Sequence, residues 1–87
     1  MLDGLRTAQR RTVGTRQTLR AVERGEALVV FVALDAEPHV VRQLISQCRQ
    51  RSVSIREVDS MRTLGQACGV QVGAASAAVL VPQPPGP

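Results

Sequence analysis

The basic segment, residues 14–20, carries side chains that can bind a polyanion. Its sequence predicts the start of a helix, which places Arg16 and Arg20 one turn apart on one face, with Gln17 beside them. The positive end of a helix dipole favours phosphate oxygens, and arginine and glutamine can also hydrogen-bond base edges. The segment therefore indicates contact with nucleic acid. The alternative is a solvated helix face on which Arg20 pairs with Glu23.

The glycine loop, residues 70–75, is a second candidate contact. Gly73, Ala74 and Ala75 are small and allow another backbone or a ligand to approach closely. The glycines at 65, 69 and 73 do not follow either of the common phosphate-binding spacings. By itself this pattern is compatible both with a tight turn and with a ligand cradle.

Few residues are suited to catalysis or to metal binding. His39 is the only histidine, and Asp35 and Glu37 beside it are explained by capping of the helix that follows. Cys48 and Cys68 lack metal-site spacing and fall on apolar helical stripes, which predicts buried, reduced thiols. A thiol enzyme would need thiolate activation that no neighbouring residue suggests. We expect no enzymatic activity and no cofactor.

Composition narrows the class of partner. The net charge is +4, and all 11 basic residues are arginine, which favours a phosphate-bearing partner. A general preference for arginine over lysine would produce the same count. Phe31 is the only aromatic residue, so bases have no aromatic platform on which to stack. Sheet-surface RNA modules and single-strand-binding barrels of the usual kind are therefore disfavoured.

The elements that position these residues can be read from periodicity. Apolar residues at helical spacing predict a short helix within residues 2–12, a break at Gly14, and a second helix over residues 15–24 with Thr15 as its N-cap. The Val-rich run at 27–34 predicts a central strand covered on both faces. It is also the longest uncharged apolar run, too short to cross a membrane, and no signal peptide is visible, so we expect a cytoplasmic protein.

The second half of the chain continues the alternation of helices and strands. Pro38 begins a predicted helix over residues 37–51, and a half-buried strand follows near residues 53–58. Asp59 or Ser60 can cap a helix that ends at Gly69, and residues 74–81 read as a last strand.

Alternation of this kind predicts an α/β fold, a three-layer α/β/α sandwich with a small mixed sheet. Eighty-seven residues suffice for one domain. We expect that domain to span residues 1–81, with residues 82–87 forming a flexible proline-rich tail.

Two stretches of sequence resemble the signatures of a known family. Residues 14–25, GTRQTLRAVERG, and residues 64–75, LGQACGVQVGAA, resemble those of the kink-turn-binding ribosomal protein family, whose archaeal type member is the large-subunit protein "seven Ae". The resemblance implies an α/β/α sandwich that binds a kink-turn, an RNA helix bent sharply at a bulge beside tandem G·A pairs. Two motifs in the correct order are more specific than either alone.

The resemblance also implies roles for individual residues. Contacts to the sheared G·A pairs and the RNA backbone are expected from Gly14, Thr15, Arg16, Gln17 and Arg20. Packing on the extruded bulge nucleotide is expected from Val70, Val72, Gly73 and Ala74. An unstacked base needs an apolar surface, and glycine and alanine permit its close approach.

One departure from the family pattern concerns the basic segment. Arg16-Gln17 stands where archaeal members have Asn-Glu, and is similar to the small bacterial members. Glutamine can still bind a base edge but lacks the charge-assisted bond of a carboxylate, which affects affinity or the choice among kink-turns. Ribosomal and free-standing members of the family share both signatures, so the signatures do not distinguish these two roles. We expect a monomer. The alternative is a protein-interaction module of the same fold that has lost RNA binding.

Overall fold

The computed structural model describes residues 10–81. The helix expected within residues 2–12 falls mostly outside this range, and the expected tail at 82–87 falls outside it entirely. The elements, in chain order, are β1 (Arg11–Val13), α1 (Thr15–Glu23), β2 (Ala27–Ala33), α2 (Pro38–Gln50), β3 (Ser54–Val58), α3 (Met61–Ala67) and β4 (Ser76–Leu80).

The four strands form one mixed sheet in the order β1-β4-β2-β3. Strand β4 is antiparallel to both β1 and β2, whereas β2 and β3 are parallel and are connected through α2. Helices α1 and α2 pack against each other, and α3 contacts β2, β3 and β4. The predicted α/β sandwich with a small mixed sheet is confirmed.

The core lies around the second half of β2. Residues 30–33 of this strand are buried, and Leu44 of α2 and Leu64 of α3 are fully buried against the same cluster. The prediction that the whole run 27–34 is covered was wrong at two places. Leu28, which falls at a register shift between β2 and β4, is 57% exposed, and Leu34, 60% exposed, lies beyond the strand end.

The segment before Gly14 corrects the predicted first helix. Residues 11–13 form strand β1, in which Arg11 pairs with Val79 and Thr12 with Ala78. Helical periodicity upstream suggested that the helix continues to Thr12. The partner strand β4 lies near the other end of the chain, so its pairing could not be seen in the local pattern.

Helices α2 and α3 confirm the predictions from sequence. Pro38 occupies the first turn of α2, and the expected bounds differ from the observed ones by one residue at each end. The Ser60 hydroxyl accepts a hydrogen bond from the Thr63 amide at 3.1 Å and so caps α3, as its spacing predicted. The last strand is shorter than the expected range 74–81, since residues 74 and 75 belong to the glycine loop and the strand ends at Leu80.

Candidate nucleic-acid interface

Gly14 is the residue on which α1 begins. Its φ of 97° lies in the left-handed region, which glycine adopts readily. The Gly14 amide donates to the Ser76 carbonyl at 2.8 Å, and the Gly14 carbonyl accepts from the Thr18 amide at 3.1 Å and the Thr18 hydroxyl at 2.7 Å. No side chain caps the helix, so the first turn presents uncapped amides.

Thr15 was predicted as the N-cap and is instead the first helical residue. Its hydroxyl lies 2.8 Å from the Ser76 hydroxyl at the start of β4. The side chain therefore joins α1 to the sheet rather than capping the helix. The N-cap position falls to Gly14, whose positive φ sets the direction of entry into the helix.

A buried pair of threonines holds the start of α1 on β1. The hydroxyls of Thr12 and Thr18 are 2.8 Å apart, and Thr18 is fully buried. Because the single hydroxyl proton of Thr18 goes to the Gly14 carbonyl, Thr12 must donate to Thr18. This chain of hydrogen bonds fixes which face of α1 points to solvent.

Arg16, Gln17 and Arg20 all lie on that exposed face. Within residues 10–81 none of the three forms an ion pair, and the alternative pairing of Arg20 with Glu23 is not formed. Gln17 and Arg20 also line a shallow depression of about 270 Å³, together with Arg24. Sequence reasoning missed Arg24, although its spacing of four from Arg20 could have revealed it.

The glycine loop presents some of its residues and buries others. Val72 is 73% exposed and Gly73 is exposed, whereas Val70 is half-buried against the core. Ala74 is only 4% exposed, and its amide donates to the Met61 carbonyl at 3.0 Å. The Ala74 side chain is thus part of the core, so that Val72 and Gly73 are the exposed ones among the four predicted contact residues of the loop.

The structure brings the basic segment and the glycine loop together. Ser76 follows the loop directly. Its carbonyl accepts a hydrogen bond from the Gly14 amide, and its hydroxyl is hydrogen-bonded to the Thr15 hydroxyl. The uncapped start of α1 and the end of the loop therefore lie side by side, although these hydroxyl partners are 61 residues apart in sequence.

A third segment, residues 33–35, is joined to the loop and to α3, which was not predicted. The Ala33 amide donates to the Ala75 carbonyl at 2.9 Å, and the Met61 amide donates to an Asp35 carboxylate oxygen at 2.7 Å. Asp35 was expected to cap the helix that follows it and instead binds the first residue of α3, 26 residues away. Glu37 occupies the N-cap position of α2 without a side-chain cap bond. These contacts join residues far apart in sequence, so they could be found only from the tertiary structure.

The two thiols are remote from solvent. Cys48 and Cys68 are free and 0% and 2% exposed. Burial raises the pKa of both thiols, and the charge of Arg11 partly offsets this rise in the pKa of Cys68. Across residues 10–81 no group of histidine, cysteine or acidic side chains could hold a metal ion. None of the described helices has the length and apolar character needed to cross a bilayer.

Relatives of known sequence share most of this chain. An RNA-binding protein of Geobacillus sp. (strain WCH70) is 44% identical over 73 residues, which cover 84% of this chain and 89% of that protein. RNA-binding protein YbxF of Geobacillus stearothermophilus is 44% identical over 68 residues, covering 78% of this chain and 83% of that protein.

Solved structures share the fold. The 15.5kD RNA binding protein of Giardia lamblia superposes with a TM-score of 0.83 at 29% identity, covering 94% of this chain and 69% of that one. The sequence pattern of one family matches residues 2–84. The chain therefore belongs to the Ribosomal protein L7Ae/L30e/S12e/Gadd45 family.

Proposed function

We propose that this protein binds kink-turn RNA through the basic segment and the glycine loop. RNA binding is supported by the family and by relatives named as RNA-binding proteins that cover 78% and 84% of this chain. The same membership makes the protein a binding protein and not an enzyme. Recognition of a kink-turn is the finer step and rests on the arrangement of the two segments.

The observation that carries the proposal is that the cationic basic segment is joined to the apolar, exposed glycine loop. Arg16, Gln17 and Arg20 stand exposed and without an ion pair within residues 10–81, at a helix start with no side-chain cap. Hydrogen bonds from Gly14 and Thr15 to Ser76 join the start of this helix to the end of a loop whose Val72 is 73% exposed. A cationic, hydrogen-bonding surface next to an exposed apolar one suits a bent RNA with phosphates and G·A edges on one side and an unstacked base on the other.

The proposal assigns roles to residues according to their exposure. Arg16, Gln17 and Arg20 bind phosphates and base edges with their side chains, while Gly14 and Thr15 shape the backbone at the helix start. Val72 and Gly73 contact the extruded base. Val70 and Ala74 support the loop from below, because their side chains are half-buried and buried.

A titration with two RNAs tests this function. One is a duplex that contains a kink-turn, and the other is the same duplex with the G·A pairs replaced by Watson–Crick pairs. We expect much tighter binding to the kink-turn, measured by gel shift at fixed salt, because counterion release is common to both RNAs. Equal affinity would leave only generic attraction between arginine and phosphate.

A further measurement addresses the cellular role. We propose a cytoplasmic, ribosomal or ribosome-associated protein, in line with the family description. Co-sedimentation with ribosomal subunits supports that role, whereas a protein that stays at the top of the gradient and still binds kink-turn RNA is a free-standing RNA-binding protein.

A further inference from the structure

Gly65 of α3 lies in direct contact with the glycine loop. The residue is buried, and a Cβ atom built there would overlap the carbonyl oxygen of Val72. The same Cβ would lie 3.2 Å from the Cα of Gly73. Both neighbours are backbone atoms, which cannot rotate away as the end of a side chain can.

The loop is held at other points as well. The Val70 amide donates to the Gly65 carbonyl at 3.0 Å, and the Ala74 amide donates to the Met61 carbonyl at 3.0 Å. These bonds tie both ends of the loop to α3. Between them, Val72 turns its carbonyl toward Gly65 and has an exposed side chain.

Gly65 occupies an interior position of α3, where glycine is unfavourable. Alanine is clearly more favourable than glycine in a helix interior. Gly65 has no positive φ, so its backbone does not require glycine. The remaining reason is space, because only the absence of a side chain lets residues 72 and 73 lie against α3.

We propose that Gly65 is a positioning residue for RNA recognition, which sets the place of Val72 and Gly73 relative to the basic segment. The inference rests on the proposed function of the loop. A side chain at position 65 pushes the carbonyl of Val72 outward and carries the exposed Val72 side chain with it. The bent RNA then meets a displaced loop, while the cationic start of α1 is unchanged.

The test is Gly65→Ala, with Gln66→Ala on the same helix as the matched control. Gln66 is exposed, and within residues 10–81 its side chain forms no hydrogen bond to the loop. Circular dichroism and urea unfolding first establish that both variants are folded. Binding is then measured to a kink-turn duplex and to the same duplex with an abasic site at the extruded position.

We expect Gly65→Ala to weaken binding to the intact kink-turn by about tenfold or more and to leave binding to the abasic RNA at the wild-type level. Gln66→Ala should match wild type on both RNAs. In a Val72→Ala background the effect of Gly65→Ala should shrink, because the two changes act on one contact. A general loss of stability would lower affinity for both RNAs and in both backgrounds.

Three outcomes overturn the inference. A folded Gly65→Ala protein that binds the intact kink-turn as wild type does, or that loses both RNAs equally, shows that Gly65 does not act through the loop. If Gly65→Ala does not fold, Gly73→Ala decides, since its Cβ would approach the Cβ of Met61 to 3.1 Å and displace the loop from its own side. Unchanged discrimination in that folded variant overturns the inference. A wild-type protein that does not distinguish the kink-turn from its Watson–Crick control overturns the proposed function itself.

Discussion

Individual side chains at the start of α1 point to solvent because of hydrogen bonds made beneath them. Thr12 and Thr18 are buried and satisfied by each other and by the Gly14 carbonyl. This arrangement leaves the long polar side chains of Arg16 and Arg20 exposed and without ion pairs inside residues 10–81. The residues proposed to bind RNA and the residues that hold the helix on the sheet are thus separated within one turn.

Replacing either arginine should weaken RNA binding. Arg16→Ala and Arg20→Ala each remove a cation that we propose contacts phosphate or guanine, and a lost bidentate contact is worth roughly 1–3 kcal/mol. Arg49→Ala is the control, because Arg49 is exposed on α2 and carries the same charge. Affinity is measured by gel shift at several salt concentrations. If Arg49→Ala is as harmful as Arg20→Ala, the binding face is misplaced.

The two thiols should be dispensable for RNA binding. Cys48→Ala and Cys68→Ala remove buried sulfur atoms that form no disulfide, so each should cost about 1–2 kcal/mol of unfolding free energy while RNA affinity stays at the wild-type level. A folded Cys68→Ala protein that cannot bind RNA would contradict this expectation and indicate a role for the thiol.

The pH dependence of stability follows from the same burial. Burial raises the thiol pKa in the folded protein, so at alkaline pH the unfolded chain loses these protons first. The unfolded state then binds fewer protons than the folded state, and the thiol contribution to unfolding free energy falls as the pH rises above 9.0, the ordinary thiol pKa. Urea unfolding of wild type and of Cys48→Ala is measured across this pH range. The loss of unfolding free energy at alkaline pH should be smaller in the variant, because one of the two buried thiols is missing.

At the scale of elements, the proposed interface depends on how three segments meet. Ser76 at the start of β4 binds the first residues of α1, and Asp35 after β2 binds the first residue of α3. The glycine loop connects α3 with β4 and is therefore held from both sides. A loop held in this way presents Val72 and Gly73 to a partner at little cost in conformational entropy.

Changes in the loop should separate shape recognition from charge attraction. Val72→Asp places a carboxylate beside phosphates, and Gly73→Val forces the loop away from Met61, whose Cβ lies 3.1 Å from a Cβ at position 73. Each should weaken kink-turn binding by about 1.4 kcal/mol or more, whereas weak binding to plain duplex changes less. Circular dichroism must first confirm the fold. Wild-type affinity in the folded variants would remove the loop from the interface.

The threonine pair under α1 should contribute to stability. Thr18→Val keeps the shape but removes the hydroxyl, which leaves the buried Thr12 hydroxyl without its acceptor and should cost about 1–3 kcal/mol in urea unfolding. Thr63→Val is the comparison, because the Thr63 hydroxyl is only partly buried beside Ser60 and should cost less. Equal costs would show that burial of the pair is unimportant.

The whole chain carries a net charge of +4, and the part that the structure describes has a radius of gyration of 12.0 Å. We expect a monomer of 9.3 kDa, since neither proposed segment needs a second copy. Analytical ultracentrifugation over a range of concentrations tests this expectation. A mass that rises with concentration would contradict it, and the experiment repeated with kink-turn RNA would then show whether the dimer binds.

Much of the fold could be predicted because its causes are local. The apolar stripe behind Pro38, the cap at Ser60 and the buried positions of Cys48 and Cys68 each depend on residues within one or two turns. The basic segment was visible for the same reason, since the spacing of Arg16 and Arg20 alone puts them on one face of a helix. The alternation of helices and strands after Gly14 was sufficient to predict the α/β sandwich, although β1 was not predicted.

Tertiary structure alone decided the contacts between distant parts of the chain. The pairing of β1 with β4, the bond of Thr15 to Ser76 and that of Asp35 to Met61 each join segments far apart in sequence. A local pattern records helix and strand preference but carries no information on which distant backbone group arrives beside a side chain. Thr15 and Asp35 were therefore predicted as local caps and serve instead as links between elements. For the same reason, the space that Gly65 leaves for Val72 could be recognised only when α3 and the glycine loop were packed together.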